Sequence, residues 1–171
     1  QPVDTHIDVI ESDTISAASK YAAKGNKVLV VNFANNRGCG GSYKDDLNAQ
    51  EEDIFRRSTA AFALSTEYDM QKNDFYPIAV ETQARAVITE HLKILRKSKE
   101  EGFAFVDERE QYEFAMISVG AYDHRHSEKA MFIPKSNRLN GESSDVMKKR
   151  IALIFQAAYL LHCDTIIAGA I

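Results

Sequence analysis

Residues 27–59 read KVLVVNFANNRGCGGSYKDDLNAQEEDIFRRST, and the fold is decided in this stretch. Its apolar run VLVV predicts a central strand that is covered on both faces. The Asn- and Gly-rich segment that follows breaks the strand and lets the backbone turn sharply. Asn48 and Glu51 then have the spacing of a capping box, which predicts a helix that begins with two adjacent glutamates. A glycine loop that leads into a helix N-terminus presents backbone N–H groups and suits an anionic ligand such as phosphate.

The composition indicates one folded domain of ordinary size. The chain has 171 residues, of which 44% are hydrophobic and 27% are charged, so we expect a single globular domain over residues 1–171. The formal net charge of -4 argues against a general nucleic-acid binder. No apolar run reaches membrane-spanning length, so no membrane partner is expected. Cys39 and Cys163 are too few for a disulfide scaffold, which favours the cytoplasm or another reducing compartment.

Strand-like and helix-like patterns alternate along the chain. The pattern predicts strands at 6–10, 28–34, 103–106, 114–119 and 165–171, and helices at 12–24, 49–62, 80–97 and 143–162. Such alternation is typical of an α/β sandwich with helices on both faces of a sheet. Because the last strand has no following loop, we expect the fold to be C-terminally incomplete. In sheets of this kind, ligands bind beyond the carboxyl ends of the strands, where the glycine loop lies.

The glycine loop carries neither of the common nucleotide-binding fingerprints. Tyr43 stands three residues after Gly40, which excludes G-x-G-x-x-G, and no G-K-[ST] follows. The loop instead resembles that of the macrodomain fold, and specifically that of the microbial-type poly(ADP-ribose) glycohydrolases. Their signature is a triple-glycine loop, a short spacer and Gln-Glu-Glu, and here GGS at 40–42 is followed by QEE at 50–52. The segments VVNFAN, DIFRRST, FAMISVGAY and DTIIAGAI also resemble that family.

The resemblance implies a three-layer α/β/α macrodomain-like sandwich with a mixed, mostly parallel sheet, and a ligand, ADP-ribose. Asn35 would contact the ribose at the scissile end. Asp13 lies where macrodomains often place an acid that reads the adenine amino group. The remaining residues implied to bind the ligand, the first four through their backbone around the diphosphate, are Cys39, Gly40, Gly41, Ser42 and Gln50.

The resemblance also implies a glycosidase that hydrolyses ADP-ribosyl O-glycosidic linkages on a polymer or a modified protein. Glu52 would be the general acid that protonates the departing oxygen, and Glu51 would hold a ribose. In the first turn of a helix a carboxylate is stabilised in its charged form, so Glu52 is expected to become a competent acid only beside a bound diphosphate. No cofactor and no metal ion are implied.

Structural explanations compete with these roles. Glu51 completes a capping box, which is a structural role. Arg56 and Arg57 are expected on the solvated side of their helix. Tyr43 either covers the ligand or is an exposed loop residue. Cys39 invites a nucleophile hypothesis, but no base is identifiable beside it. Alternate residues in an extended segment could bind a metal, although a polar loop is the commoner explanation. The residues concerned are Asp123, His124 and His126.

Two departures from the family pattern leave other functions open. Ser42 stands where the family has its third glycine, and the second phosphate loop would have to follow the closing strand. A non-catalytic ADP-ribose reader is therefore the alternative function. An unrelated phosphate-binding α/β domain, in which QEE is only a helix start, is the third hypothesis.

Overall fold

The protein is an α/β structure with a central four-stranded sheet. The computed structural model describes residues 4–35, 38–45, 47–64, 75–76, 78, 84–120, 133–134, 136 and 138–169. In chain order the elements are α1 (Thr14–Ala22), β1 (Val28–Ala34), α2 (Gln50–Arg57), α3 (Ala60–Leu64), β2 (Val87–Lys93), a short 3₁₀ turn (Glu108–Glu110), β3 (Glu113–Gly120), α4 (Gly141–Leu160) and β4 (Thr165–Ile167).

The sheet has the strand order β2-β3-β1-β4. β1 pairs in parallel with both β3 and β4, whereas β2 pairs antiparallel with β3. The predicted mixed, mostly parallel sheet is therefore confirmed. Since β1 and β3 are the two central strands, their carboxyl ends meet at one edge, and the glycine loop leaves β1 at that edge.

Two apolar clusters lie on opposite faces of the sheet and make it the middle of three layers. On one face Val28 and Val30 of β1 pack with α1, α2 and α3. On the other face Leu29 and Val31 pack with Ile154 and its neighbours in α4. All four of these β1 residues are buried, as the unbroken apolar run predicts for a strand that is covered on both sides. The predicted three-layer sandwich is confirmed.

The largest error in the predicted elements concerns residues 80–97, where the apolar spacing predicts a helix and the structure has strand β2 from Val87. The register of β2 against β3 shifts between Thr89 and Leu92, and His91 adopts φ 59. This bulge places Val87 and Leu92 on the same buried face although five positions separate them. In a regular strand the buried residues alternate, two positions apart. The bulge shifts this alternation, so the apolar residues of β2 have a spacing that resembles that of a helix.

Several element ends also differ from the sequence prediction. Residues 6–10 form no strand and are exposed. α1 begins as predicted, because the carboxylate of Asp13 accepts a hydrogen bond from the Ser16 N–H at 2.7 Å. α4 begins earlier than predicted, with Asn140 as its N-cap. On α4, the apolar Phe155 is exposed while the charged Arg150 is fully buried.

Candidate active site

The first turn of α2 holds the glycine loop through the carboxylate of Glu51. Oε2 of Glu51 accepts a hydrogen bond from the Asn35 N–H at 2.7 Å, and Oε1 accepts one from the Gly40 N–H at 3.0 Å. Oε1 also accepts from Nδ2 of Asn32 at 3.4 Å. The predicted capping box is wrong, because the N-cap is Ala49 and makes no side-chain hydrogen bond. Glu51 ties the start and the middle of the loop to α2 instead of closing its own helix.

Glu52, the next residue, also faces the loop, but it has a free oxygen. Its Oε1 accepts a hydrogen bond from the Ser42 N–H at 3.1 Å. Among the residues that the structure describes, Oε2 of Glu52 has no hydrogen-bond partner. Both glutamates are buried, with 4% of Glu51 and 7% of Glu52 exposed. Two carboxylates at consecutive positions are thus directed at the same short loop, and one of their oxygens stays available.

Gly41 makes the position of Glu52 possible. Its φ is +53, and a Cβ at this position would collide with Oε1 of Glu52. We expect Gly41→Ala to displace the Glu52 carboxylate and to lower any turnover that depends on it by about 100-fold, since misplacement of a reacting group by about 1 Å has that cost. Gly38→Ala is the matched control, because nothing lies within 4 Å of its Cβ position. Steady-state kinetics of both variants check this, and equal rates would contradict it.

The far end of the loop is fixed by Arg56, which the sequence prediction placed in solvent. Its Nε donates to the Tyr43 carbonyl at 2.7 Å, and its Nη2 donates to the Asp45 carbonyl. The Tyr43 ring lies against Phe55, with ring centroids 5.6 Å apart, and packs against the apolar core. A Cβ at Gly40 would come within 2.6 Å of the Phe55 ring, so this close packing also requires glycine.

Backbone N–H groups of the loop alternate, within its described residues, between those that make a hydrogen bond and those that do not. Gly40 and Ser42 donate to the glutamates. The N–H groups of Cys39 and Gly41, which alternate with them, have no partner in the described part of the chain. In this part of the loop the N–H groups of Cys39 and Gly41 are therefore left to bind an anion. The sequence analysis expected the backbone of all four residues 39–42 to surround a diphosphate. Asn35, also expected at the site, lies at the start of the loop, and its Oδ1 accepts from the Gly38 N–H at 3.3 Å.

Gln50 bridges β1 and α1 through its side-chain amide. Oε1 accepts from the Phe33 N–H at 3.0 Å, while Nε2 donates to the Val31 carbonyl at 3.0 Å and to Oγ1 of Thr14 at 3.1 Å. Gly169 lies beside this amide, since a Cβ on Gly169 would be 3.0 Å from Nε2 of Gln50. The side chain therefore takes the place of a backbone partner along β1 just beyond the last paired residue of β4.

Asp13 and Gln50 line a cavity of about 650 Å³ between the N-terminal ends of α1 and α2. Arg57, which the sequence prediction also placed in solvent, is only 3% exposed and lies in the wall of this cavity. Its Nη1 contacts Oδ1 of Asp13 at 2.7 Å and Oδ2 of Asp53 at 2.8 Å. Burial opposes ionisation of Asp13, but hydrogen bonds from Ser16 and the charge of Arg57 outweigh it and lower its pKa. The Asp13 carboxylate is thus held ionised at the edge of a cavity.

Burial raises the pKa of Glu51 to about 7, against the lowering effect of the hydrogen bonds from Asn35, Gly40 and Asn32. Between the ordinary value of 4.5 and about 7, the folded protein keeps a proton that the unfolded chain has lost. We therefore expect the free energy of unfolding to fall across this pH range by roughly 2–3 kcal/mol through Glu51. Urea unfolding at pH 5 and pH 8 measures this.

In Glu51→Gln that fall with pH should be absent, while Glu108→Gln, at an exposed position, should keep it. An unchanged pH dependence in Glu51→Gln would contradict the assignment of the titration to Glu51.

The other chemistry that the sequence raised is not supported at Cys39. Burial and the nearby Glu51 raise the pKa of the Cys39 thiol to about 12, so the reactive thiolate is disfavoured.

The candidate metal ligands Asp123, His124 and His126 lie outside the described residues. Within the part of the chain that the structure describes, no three His, Cys, Asp or Glu side chains are grouped to hold a metal ion. No helix among these residues is both long and apolar enough to cross a membrane.

A family model of the microbial-type PARG catalytic domain matches residues 1–95, from the N-terminus through β2. The chain belongs to this family. The matched part of this microbial-type PARG domain contains α1, the glycine loop and both glutamates of α2. A search among curated proteins gave no match.

Solved structures share the fold of this PARG-family chain. Poly(ADP-ribose) glycohydrolase from Thermomonospora curvata, bound to the inhibitor ADP-HPD, is 19% identical with a TM-score of 0.61, over 90% of this chain and 54% of that one. The enzyme from Deinococcus radiodurans, in complex with ADP-ribose, is 18% identical with a TM-score of 0.64, over 90% of this chain and 58% of that one. The chain thus spans little more than half the length of these structures.

Sequence reasoning missed two kinds of residue in the site of this PARG-family domain. Arg56 and Arg57 are adjacent in a polar helix, just after the glutamates. Nothing in the sequence around them indicates that their side chains bind within the protein instead of facing solvent. Asn32 did carry a signal, because it is a lone polar residue in the apolar strand VLVVNFA. A buried amide in such a strand needs hydrogen-bond partners, and here they include Glu51.

Proposed function

We propose that this chain binds ADP-ribose and hydrolyses ADP-ribosyl O-glycosidic linkages, with Glu52 as the general acid. One observation carries the assignment: of the two carboxylates that face the glycine loop, Glu52 has an oxygen without a hydrogen bond among the described residues. Both oxygens of Glu51 accept loop N–H groups, so Glu51 has no oxygen left to face a substrate. Membership of the microbial-type PARG family supports the reaction class.

In this proposal the cavity and the loop are two parts of one binding site, connected through Gln50, which lines the cavity and directly precedes Glu51. Asp13 presents a carboxylate to the cavity, and only its Oδ1 is used by Ser16 and Arg57. Its Oδ2 can accept a hydrogen bond from an amino group, as adenine carries. The unpaired N–H groups of Cys39 and Gly41 suit the diphosphate. In this proposal Asn35 contacts the ribose at the scissile end, and Gln50 shapes the cavity wall.

The chemistry follows from the free oxygen of Glu52. A proton on Oε2 passes to the leaving oxygen as the bond to the ribose C1 breaks, and positive charge spreads over C1 and the ring oxygen. Water adds at C1 and gives a proton back to the Glu52 carboxylate, which leaves ADP-ribose, a free hydroxyl on the group that departs and Glu52 ready for the next turnover. The natural partner is then an ADP-ribosylated protein or polymer.

A non-catalytic ADP-ribose reader is the second candidate, and Ser42 is the observation that favours it. The Ser42 N–H is already bonded to Glu52, and its side chain stands where a third glycine would leave room for phosphates. A reader would bind ADP-ribose through the same cavity and loop without hydrolysis. Release of ADP-ribose from a modified protein separates the two functions.

Binding is tested by the melting temperature of the chain with free ADP-ribose. At a concentration about 100-fold above Kd, a ligand stabilises the folded state by about 2.7 kcal/mol, which is roughly 5–10 °C for a chain of this size. Inosine diphosphate ribose, which lacks the adenine amino group, should give a smaller shift. No shift with ADP-ribose would refute binding, and a shift without release of ADP-ribose from automodified protein would favour the reader.

A further inference from the structure

Asn32 lies in the middle of β1 with none of its surface exposed, among side chains that are otherwise apolar. Its register partner on the neighbouring strand is Ser118 of β3, also fully buried. Nδ2 of Asn32 donates to Oγ of Ser118 at 3.1 Å and to Oε1 of Glu51 at 3.4 Å. The two hydrogens of one amide nitrogen thus connect the sheet to the loop-holding carboxylate.

The orientation of the Asn32 amide is set by charge. Above its pKa of about 7 Glu51 is an ionised carboxylate that only accepts hydrogen bonds, so the amide must then turn its nitrogen, not its oxygen, toward it. This orientation has a cost in free energy, because Oδ1 of Asn32 is buried and has no hydrogen-bond partner among the described residues. A valine or leucine at this position would pack in the sheet without that cost. The amide is therefore explained by what it does to Glu51 and not by the stability of the strand.

We propose that Asn32, oriented by Ser118, is a positioning residue that fixes the Glu51 carboxylate in the plane required by the glycine loop. This inference rests on the proposed function, because it assigns Asn32 an effect on turnover through Glu51 and the loop. Glu51 binds the Asn35 and Gly40 N–H groups of the loop, and Glu52 follows it directly on α2. Loss of the Asn32 donor lets the Glu51 carboxylate rotate, and the loop amides and Glu52 then lose their alignment.

The test compares Asn32→Ala with Val30→Ala. Val30 lies on the same face of β1, is equally buried and belongs to the cluster beneath α2, but makes no contact with Glu51 that the structure records. Ser118→Ala is a milder second variant that removes the hydroxyl beside the Asn32 amide, a hydroxyl that also interacts with Tyr76. A direct readout is the titration of the Glu51 carboxyl carbon by NMR, which reports on the side chain whether or not the protein turns over substrate.

In Asn32→Ala we expect the Glu51 titration to move upward by about half a unit to one unit, because a donor to the charged form is lost. We expect kcat for release of ADP-ribose to fall roughly 10-fold to 100-fold, while the Kd for ADP-ribose stays within about threefold. Ser118→Ala should shift both in the same direction by less, and Val30→Ala should shift neither.

An Asn32→Ala titration that coincides with that of Val30→Ala would overturn the proposal. So would a shifted titration with kcat no lower than in Val30→Ala. If Asn32→Ala does not fold, Ser118→Ala decides by the same two measurements. Failure of the unmodified chain to bind or hydrolyse would instead refute the proposed function, and the NMR titration would still show whether Asn32 holds Glu51.

Discussion

Glu52→Gln is expected to lower kcat for release of ADP-ribose by roughly 10²- to 10⁴-fold, the usual contribution of a positioned general acid. The amide keeps the size of the side chain and its Oε1 can still accept from the Ser42 N–H, so the loop should stay in place. What is lost is the proton that Oε2 would deliver. We expect the Kd for ADP-ribose to remain within a few-fold, because Glu52 acts on the leaving oxygen and not on the diphosphate.

The measurements are single-turnover release from a modified protein and calorimetric titration with ADP-ribose. Glu108→Gln, the same substitution at an exposed position, is the control and should leave both unchanged. Hydrolysis at an undiminished rate in Glu52→Gln would refute the mechanism. A loss of rate together with a loss of affinity would show that Glu52 binds substrate instead.

Arg57→Met is expected to have the largest effect on stability, a loss of about 3 kcal/mol of unfolding free energy. Arg57 is buried, pairs with Asp13 and Asp53, and also donates to Oγ of Ser16 at 3.0 Å and to the Arg96 carbonyl at 3.3 Å. Methionine fills much of the same volume but leaves two carboxylates without their cation. The expected loss is at the lower end of the range for removing one partner of a buried ion pair, because the side chains of Asp13 and Asp53 are both partly exposed to water.

The loss in Arg57→Met should depend on pH. The pKa of Asp13 is lowered in the folded protein, so its contribution is present above about 4 and is lost as the pH falls through the folded value. Burial raises the pKa of Asp53 despite its pairing with Arg57, so this residue is protonated first on acidification. The difference between Arg57→Met and the parent should therefore be largest near neutrality and shrink below about pH 4.

Urea unfolding across this pH range measures the difference. Arg109→Met removes the same charge from an exposed position and should change the unfolding free energy by well under 1 kcal/mol. Equal losses in the two variants would show that the Asp13–Arg57–Asp53 network does not stabilise the fold.

The central strand β1 and the site-bearing segment could be predicted because their signals are local and strong. An unbroken apolar run identifies β1, Asp13 followed by an apolar stripe identifies α1, and closely spaced glycines identify the turn between β1 and α2. Each signal follows from backbone chemistry that holds in any surroundings. The amino-acid order alone therefore assigns the loop and both glutamates to one region of the fold.

The rest depended on contacts between distant parts of the chain. The bulge at His91 belongs to the pairing of β2 with β3, and without knowledge of that pairing the apolar spacing fits a helix. Glu51 satisfies the simple rule of a capping box, but three N–H donors from β1 and the loop compete for its carboxylate and prevail. Arg57 is buried only because Asp13 and Asp53 approach it from two helices.

The amide of Gln50 explains why this sheet has an opening. In a parallel ladder the Val31 carbonyl and the Phe33 N–H would next bind the backbone two residues beyond Ile167, which is Gly169. Gln50 occupies both of these β1 groups, so the closing strand cannot continue beside its neighbour and must diverge from it. A single side chain thereby separates two adjacent strands at their carboxyl ends, and both Gln50 and Gly169 line the cavity that lies there.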